Sequence, residues 1–127
     1  MKRPQPKPAP SNAGEAQELA RRAARFTLTK RAEDVMILDL RRLEGVSDFF
    51  VLATGHSEVQ VRAIADAVDE GLRGEGIRPW HVEGYEARRW ILLDYVDVVV
   101  HVFHARAREY YLLDKLWGDA GRELVAD

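Results

Sequence analysis

Apolar positions along the chain follow two rhythms. From about Glu15, Leu19, Ala20, Ala23 and Phe26 recur at helical spacing with arginines on the other face, which predicts an amphipathic helix. "DVMILDL" (34–40) and "DFFVLAT" (48–54) are short, dense runs that predict strands, joined by the loop "RRLEGVS". In "GHSEVQVRAIADAVDEGLRGEG" the helical rhythm returns, with Val61, Ile64, Ala65, Val68 and Leu72 on one stripe. Ser57 and Gln60 have the S-x-x-Q spacing of a capping box, and Gly74 and Gly76 supply stop signals.

"IRPWHVEGYEA" predicts a short strand around 80–83. "RWILLDYVDVVVHVF" (89–103) sets two apolar runs either side of Asp94, Tyr95 and Asp97 and predicts a hairpin. "ARAREYYLLDKLW" (105–117) predicts a helix with Tyr110, Leu113 and Leu116/Trp117 on a common side. The opening "MKRPQPKPAPSNAG" holds four of the five prolines and almost no apolar side chain, too little to offset the entropy of ordering it. The expected organisation is a disordered basic arm (1–14), one domain (15–118) and a C-terminal tail (119–127). Its element order implies an α/β (α+β) fold, a mixed sheet of about five strands flanked by helices.

Composition narrows the class. Hydrophobic residues at 46% and charged residues at 31% fit a soluble globular protein, and no apolar run approaches the roughly 20 residues a membrane span needs. Lys2, Arg3 and Lys7 have no apolar core behind them, so a secretory signal is not expected. With no cysteine there is no disulfide framework and no thiolate metal site, which fits a cytoplasmic protein. Charge is uneven. Residues 1–32 hold eight Lys/Arg against Glu15 and Glu18, a net of +6, leaving eleven basic against nineteen acidic residues, −8, for 33–127. Such a body suits a basic protein better than a phosphate backbone.

Three constellations could carry chemistry. "ATGHSE" runs from a strand into a helix N-terminus, where anions bind, but it matches neither phosphate-loop nor dinucleotide fingerprints, and capping accounts for Ser57. Asp94 and Asp97 resemble an acid/base or metal-binding pair; on a straight strand they would face opposite sides, and aspartates flank turns for backbone reasons alone. His101 and His104 likewise fall on opposite faces, and His56 and His81 are distant, so buried or capping roles are expected and no metal site. Trp80, Tyr85, Trp90 and Tyr95, interleaved with Glu83, Glu86, Asp94 and Asp97, read either as core or as interface anchors rimmed by acid.

Taken together, "AEDVMILDLRRLEGVSDFFVLATGHSEVQVRAIADAV" and "VEGYEARRWILLDYVDVVVHVFHARAREYYLLDKLW" resemble the ribosomal silencing factor family (RsfS, Iojap-related) over about residues 16–117. The resemblance implies a nucleotidyltransferase-like topology with no established catalysis and no cofactor. It also implies binding to the large ribosomal subunit through its protein L-fourteen, which blocks joining with the small subunit and represses translation when nutrients run short. Organellar relatives serve large-subunit assembly, and free members form homodimers; a minor ribosomal RNA contact is compatible. Carried onto this chain, the contact surface is Trp90, Leu92, Asp94, Tyr95 and Asp97, with Glu83 and Tyr85 as secondary positions. The alternatives are an assembly factor, or a magnesium-dependent nucleotidyltransferase using the Gly55/Ser57 loop with Asp94 and Asp97. Two places depart from the family pattern: Val96 stands where glycine is common, and Ala105–Arg106 replace a proline and a glutamate. If the hairpin turn needs positive φ, a β-branched residue at Val96 is strained.

Overall fold

The computed structural model describes residues 13–43, 47–111 and 121–126. In chain order the elements are α1 (Ala13–Leu28), β1 (Glu33–Asp39), β2 (Phe49–Gly55), α2 (Glu58–Arg73), β3 (His81–Glu83), β4 (Trp90–Asp94), β5 (Val98–His104), α3 (Ala105–Tyr111) and β6 (Gly121–Leu124). The strands form one sheet in the order β3-β4-β5-β2-β1-β6. β2 and β5 run parallel at its centre, with α2 in the crossover between them, and the other neighbours are antiparallel. This is a single α+β domain with a mixed sheet.

The two long helices share one face of the sheet. α1 buries Ala16, Leu19, Ala20, Ala23 and Ala24, and α2 buries the expected stripe of Val61, Ile64, Ala65, Val68 and Leu72. Small side chains bring the helices close. A Cβ on Gly71 would lie 2.5 Å from the Phe26 ring, so only glycine fits where α2 crosses α1. Beneath them Val35, Ile37, Val51, Ala53, Ile91, Leu93, Val98, Val100 and Val102 complete the main core.

On the opposite face Met36, Leu38, Leu40, Leu52 and Phe103 form a second cluster with Ala107 of α3, and Phe50 and Trp90 pack at its margin. Burial on both sides explains why "VVVHVF" is an almost unbroken apolar run rather than an alternating one. Two polar groups are buried in these central strands. Thr54 Oγ1 accepts from Arg108 Nη1 at 2.8 Å, and the same nitrogen donates to the Asp34 carbonyl at 2.6 Å, tying α3 to β1 and β2. The other is His101.

Capping fixes the start of α2. Ser57 Oγ accepts from the Gln60 N–H at 3.0 Å, as the spacing predicts. The Gln60 side chain returns one residue further than expected, accepting from the His56 N–H at 2.7 Å, and its Nε2 donates to the carbonyls of Lys30 and Arg31. One side chain therefore joins the α2 N-terminus to the turn after α1.

The sheet has six strands where about five were expected. Gly121–Leu124, within the segment read as a tail, pairs with β1, and Arg21 of α1 grips Glu123 at 3.0 Å. Leu124 is the only apolar side chain in that strand, so no periodic signal marked it. The expected arm (residues 1–12) and the positions 112–117 of the last predicted helix lie outside the described residues, as does the shared face of Tyr110, Leu113, Leu116 and Trp117.

The β4–β5 hairpin closes on Val96 at φ 76°, with the Asp97 N–H donating to the Tyr95 carbonyl at 3.0 Å. This is a γ-turn whose central residue has positive φ, the rarer and more strained form. A β-branched residue there costs on the order of 1–3 kcal/mol. Glycine would relieve that strain while adding about 0.4–1 kcal/mol of unfolded-chain entropy. Val96→Gly is therefore expected to raise unfolding stability by about 1 kcal/mol in urea titration. A lowered midpoint would show that valine is not strained at this turn.

Candidate functional site

β4 presents alternate residues to the two faces. Ile91 and Leu93 enter the helix-side core, while Trp90, Leu92 and Asp94 stand half-buried on the other side. Strand register sets their neighbours. Leu92 lies between Glu83 of β3 and His101 of β5, and Asp94 between His81 and Val99. The three residues of β3 are all exposed, so at this margin of the sheet large apolar and acidic side chains meet solvent together.

Trp90 is held from below. Its indole Nε1 donates to His101 Nδ1 at 3.0 Å, and its ring centroid lies 5.2 Å from that of Phe103. His101 is 4% exposed, with Phe50 edge-on at 4.5 Å. Burial among apolar rings pushes the His101 pKa down to about 4, because the charged ring cannot be solvated there.

The acidic residues are partly committed to the turn. Asp94 Oδ1 accepts from the Val96 N–H at 2.7 Å, the backbone role that aspartate commonly has at turns. Its carbonyl accepts from the Trp80 N–H at 2.8 Å. Asp97 sits at the hairpin tip, where burial and, secondarily, the Asp48 charge raise its pKa. Among the described residues no group of three or more His, Asp or Glu is arranged to hold a metal ion.

Two expected contact residues point elsewhere. Tyr95 was expected to face outward but is 4% exposed on the helix side, with its hydroxyl buried and without a hydrogen-bond partner among the described residues. Its deprotonation is disfavoured first by burial and then by Asp69. The cause is strand parity: Tyr95 follows Ile91 and Leu93 at period two. Tyr85 also packs towards the helices, donating to Asp66 Oδ1 at 2.9 Å and accepting from Arg62 Nε at 2.8 Å. It fastens the loop before β4 to α2. Trp90, Leu92, Asp94 and Glu83 are therefore gathered on one face, Asp97 lies at the tip, and Tyr95 and Tyr85 lie behind.

Other contributors carried weak sequence signals or none. Gly84, at φ 76°, is one: a Cβ there would lie 2.1 Å from the Trp90 carbonyl oxygen, so the chain passes Trp90 only as glycine. His81 and Phe50 reach this face through register and packing that no local pattern announces. Of the remaining histidines, His104 takes the expected capping role, whereas His56 is exposed, neither buried nor a cap. His104 Nδ1 accepts from the Arg106 N–H at 3.3 Å at the start of α3, and His56 pairs with Glu33.

These features define a class: one α+β domain, a mixed sheet covered by two helices, and an apolar–acidic face at the β4 margin. A family model described as "Ribosomal silencing factor during starvation" matches residues 13–127. The chain is 46% identical over 104 residues to ribosomal silencing factor RsfS of Halalkalibacterium halodurans, covering 82% of this chain and 89% of that one. To RsfS of Bacillus subtilis it is 47% identical over 91 residues, covering 72% and 77%. A crystal structure of a Chromobacterium violaceum protein superposes with a TM-score of 0.79 at 32% identity, covering 88% of this chain and 93% of that one. One from Bacillus halodurans gives 0.72 at 44% identity, covering 80% and 94%. The chain belongs to the ribosomal silencing factor family.

Two outcomes follow from the site's geometry. Gly84→Ala should lower stability by roughly 2 kcal/mol or more, since both the positive φ and the Trp90 carbonyl oppose a Cβ; an unchanged melting temperature would refute the close approach. His101 has a folded-state pKa below its ordinary value of 6.5, so the unfolded chain takes up its proton first as pH falls. Stability relative to His101→Asn should be fully present above about pH 6.5, decline by roughly 3 kcal/mol as pH falls to about 4, and then level off. Parallel melting curves of the two proteins across that window would contradict it.

Proposed function

We propose that the protein represses translation by binding ribosomal protein L-fourteen on the large subunit through its β4 face and sterically blocking small-subunit joining. Family membership carries this reading, and the chemistry of the face supports it. Trp90 and Leu92 supply apolar contact area, while Glu83, Asp94 and Asp97 bring negative charge to the same margin. Aromatic anchors surrounded by polar residues are the usual form of a protein-binding hot spot. Acidic rims favour a basic partner, and ribosomal proteins are typically basic. The −8 balance of residues 33–127 extends that preference over the body of the molecule. The action is that of a cytoplasmic binding module, not an enzyme, and Asp94 serves its own turn.

The test is cosedimentation with purified large subunits, followed by a subunit-joining assay. Wild type should pellet with the large subunit and inhibit joining. Glu83→Lys combined with Leu92→Ala, which leaves the helix-side core intact, should weaken pelleting by about tenfold or more. Equal pelleting of the folded double variant would sink the assignment of this face. Binding to isolated L-fourteen protein should persist as salt is raised; a steep loss would instead indicate contact with phosphates of ribosomal RNA.

A further inference from the structure

We propose that His101 is a positioning residue for Trp90: its neutral ring accepts the indole N–H on Nδ1 and holds the indole in the orientation that meets the partner, and protonation of the ring releases it. The partner's use of this face rests on the reading above; the His101–Trp90 coupling does not.

Hydrogen-bond chemistry leaves one arrangement. An indole N–H only donates, so the nitrogen 3.0 Å from it must accept. Nδ1 of His101 is therefore bare and the ring proton sits on Nε2. Adding a second proton turns Nδ1 into a donor facing a donor, and the contact with Trp90 is lost. Nε2 itself is buried and has no hydrogen-bond partner among the described residues, although the residue is only 4% exposed. A buried N–H without a partner is unfavourable.

Packing alone gives no reason for a histidine here. Its ring lies between Phe50, at 4.5 Å, and Phe103, stacked at 6.0 Å, with Leu52 and Leu92 as its cross-strand neighbours. Phenylalanine would suit that setting and would bury no unpaired donor. The feature that needs a histidine is the acceptor beneath Trp90.

Among the described residues no charged group competes for the ring. On this face Glu83 belongs to β3 and lies beyond Leu92 in the same row, while His81 and Asp94 form a separate row, with Asp94 bonded to Val96. Arg108 of α3 is engaged by Thr54 and Asp34. Burial is the cause of the ring's reluctance to take a proton, so the acceptor persists at neutral pH.

The experiment uses the full-length protein labelled with nitrogen-15. The chain has three tryptophans, and Trp90→Phe identifies the Trp90 indole resonance. His101→Phe should shift that resonance, speed its exchange with solvent, and weaken cosedimentation with large subunits by about tenfold. His101→Asn places an oxygen near the Nδ1 position and should restore both readouts. As pH is lowered, the wild-type indole resonance should move with His101 protonation, while that of His101→Asn stays constant. An indole resonance unchanged in His101→Phe, or an equal loss of binding in both variants, would overturn the proposal. If wild type fails to pellet with subunits, the partner reading falls, and the indole resonance still decides the coupling.

Discussion

β2 and β5 lie parallel at the centre of the sheet with apolar layers on both faces, and most other features follow from that double burial. Strands covered on two sides have no exposed alternation, so their side chains are nearly all aliphatic or aromatic. A polar group placed there must find a partner or remain neutral. Thr54 receives Arg108, and His101 stays uncharged beneath Trp90. A surface open to another molecule must then lie towards the margins, and β4, one strand out from β5, is where large side chains are left half-buried.

The margin is shaped by backbone as much as by side chains. Gly84 lets the preceding loop pass against the Trp90 carbonyl, Tyr85 ties that loop to α2, and Val96 closes the hairpin at a positive φ. Asp94 steadies the same turn by accepting the Val96 N–H. β4 is thus held from the loop before it, from the turn after it and from His101 beneath it. A rigid, preformed face loses less entropy on association than a flexible one. That suits the proposed role of occupying a partner's surface.

Much of this was legible in the chain. The α2 stripe, the strands around 34–40 and 48–54, the hairpin, and the kinship carried by "RWILLDY" and "DVVVHVF" all come from local periodicity and motif, which depend on neighbours in sequence. Parity could have excluded Tyr95 as well, because a residue two beyond Leu93 shares its side. The expectation of strain at Val96 needed only the identity of the residue and the demand of the turn.

The sequence by itself determined the helix and strand periods, the acidic body and the presence of aromatic and acidic residues around β4. Only the tertiary structure decided that β6 completes the sheet, that Tyr85 and Tyr95 turn towards the helices, and that His101 sits under Trp90. The division has a physical reason. Period and charge are properties of a segment, whereas pairing register and burial depend on which distant segments are brought alongside it.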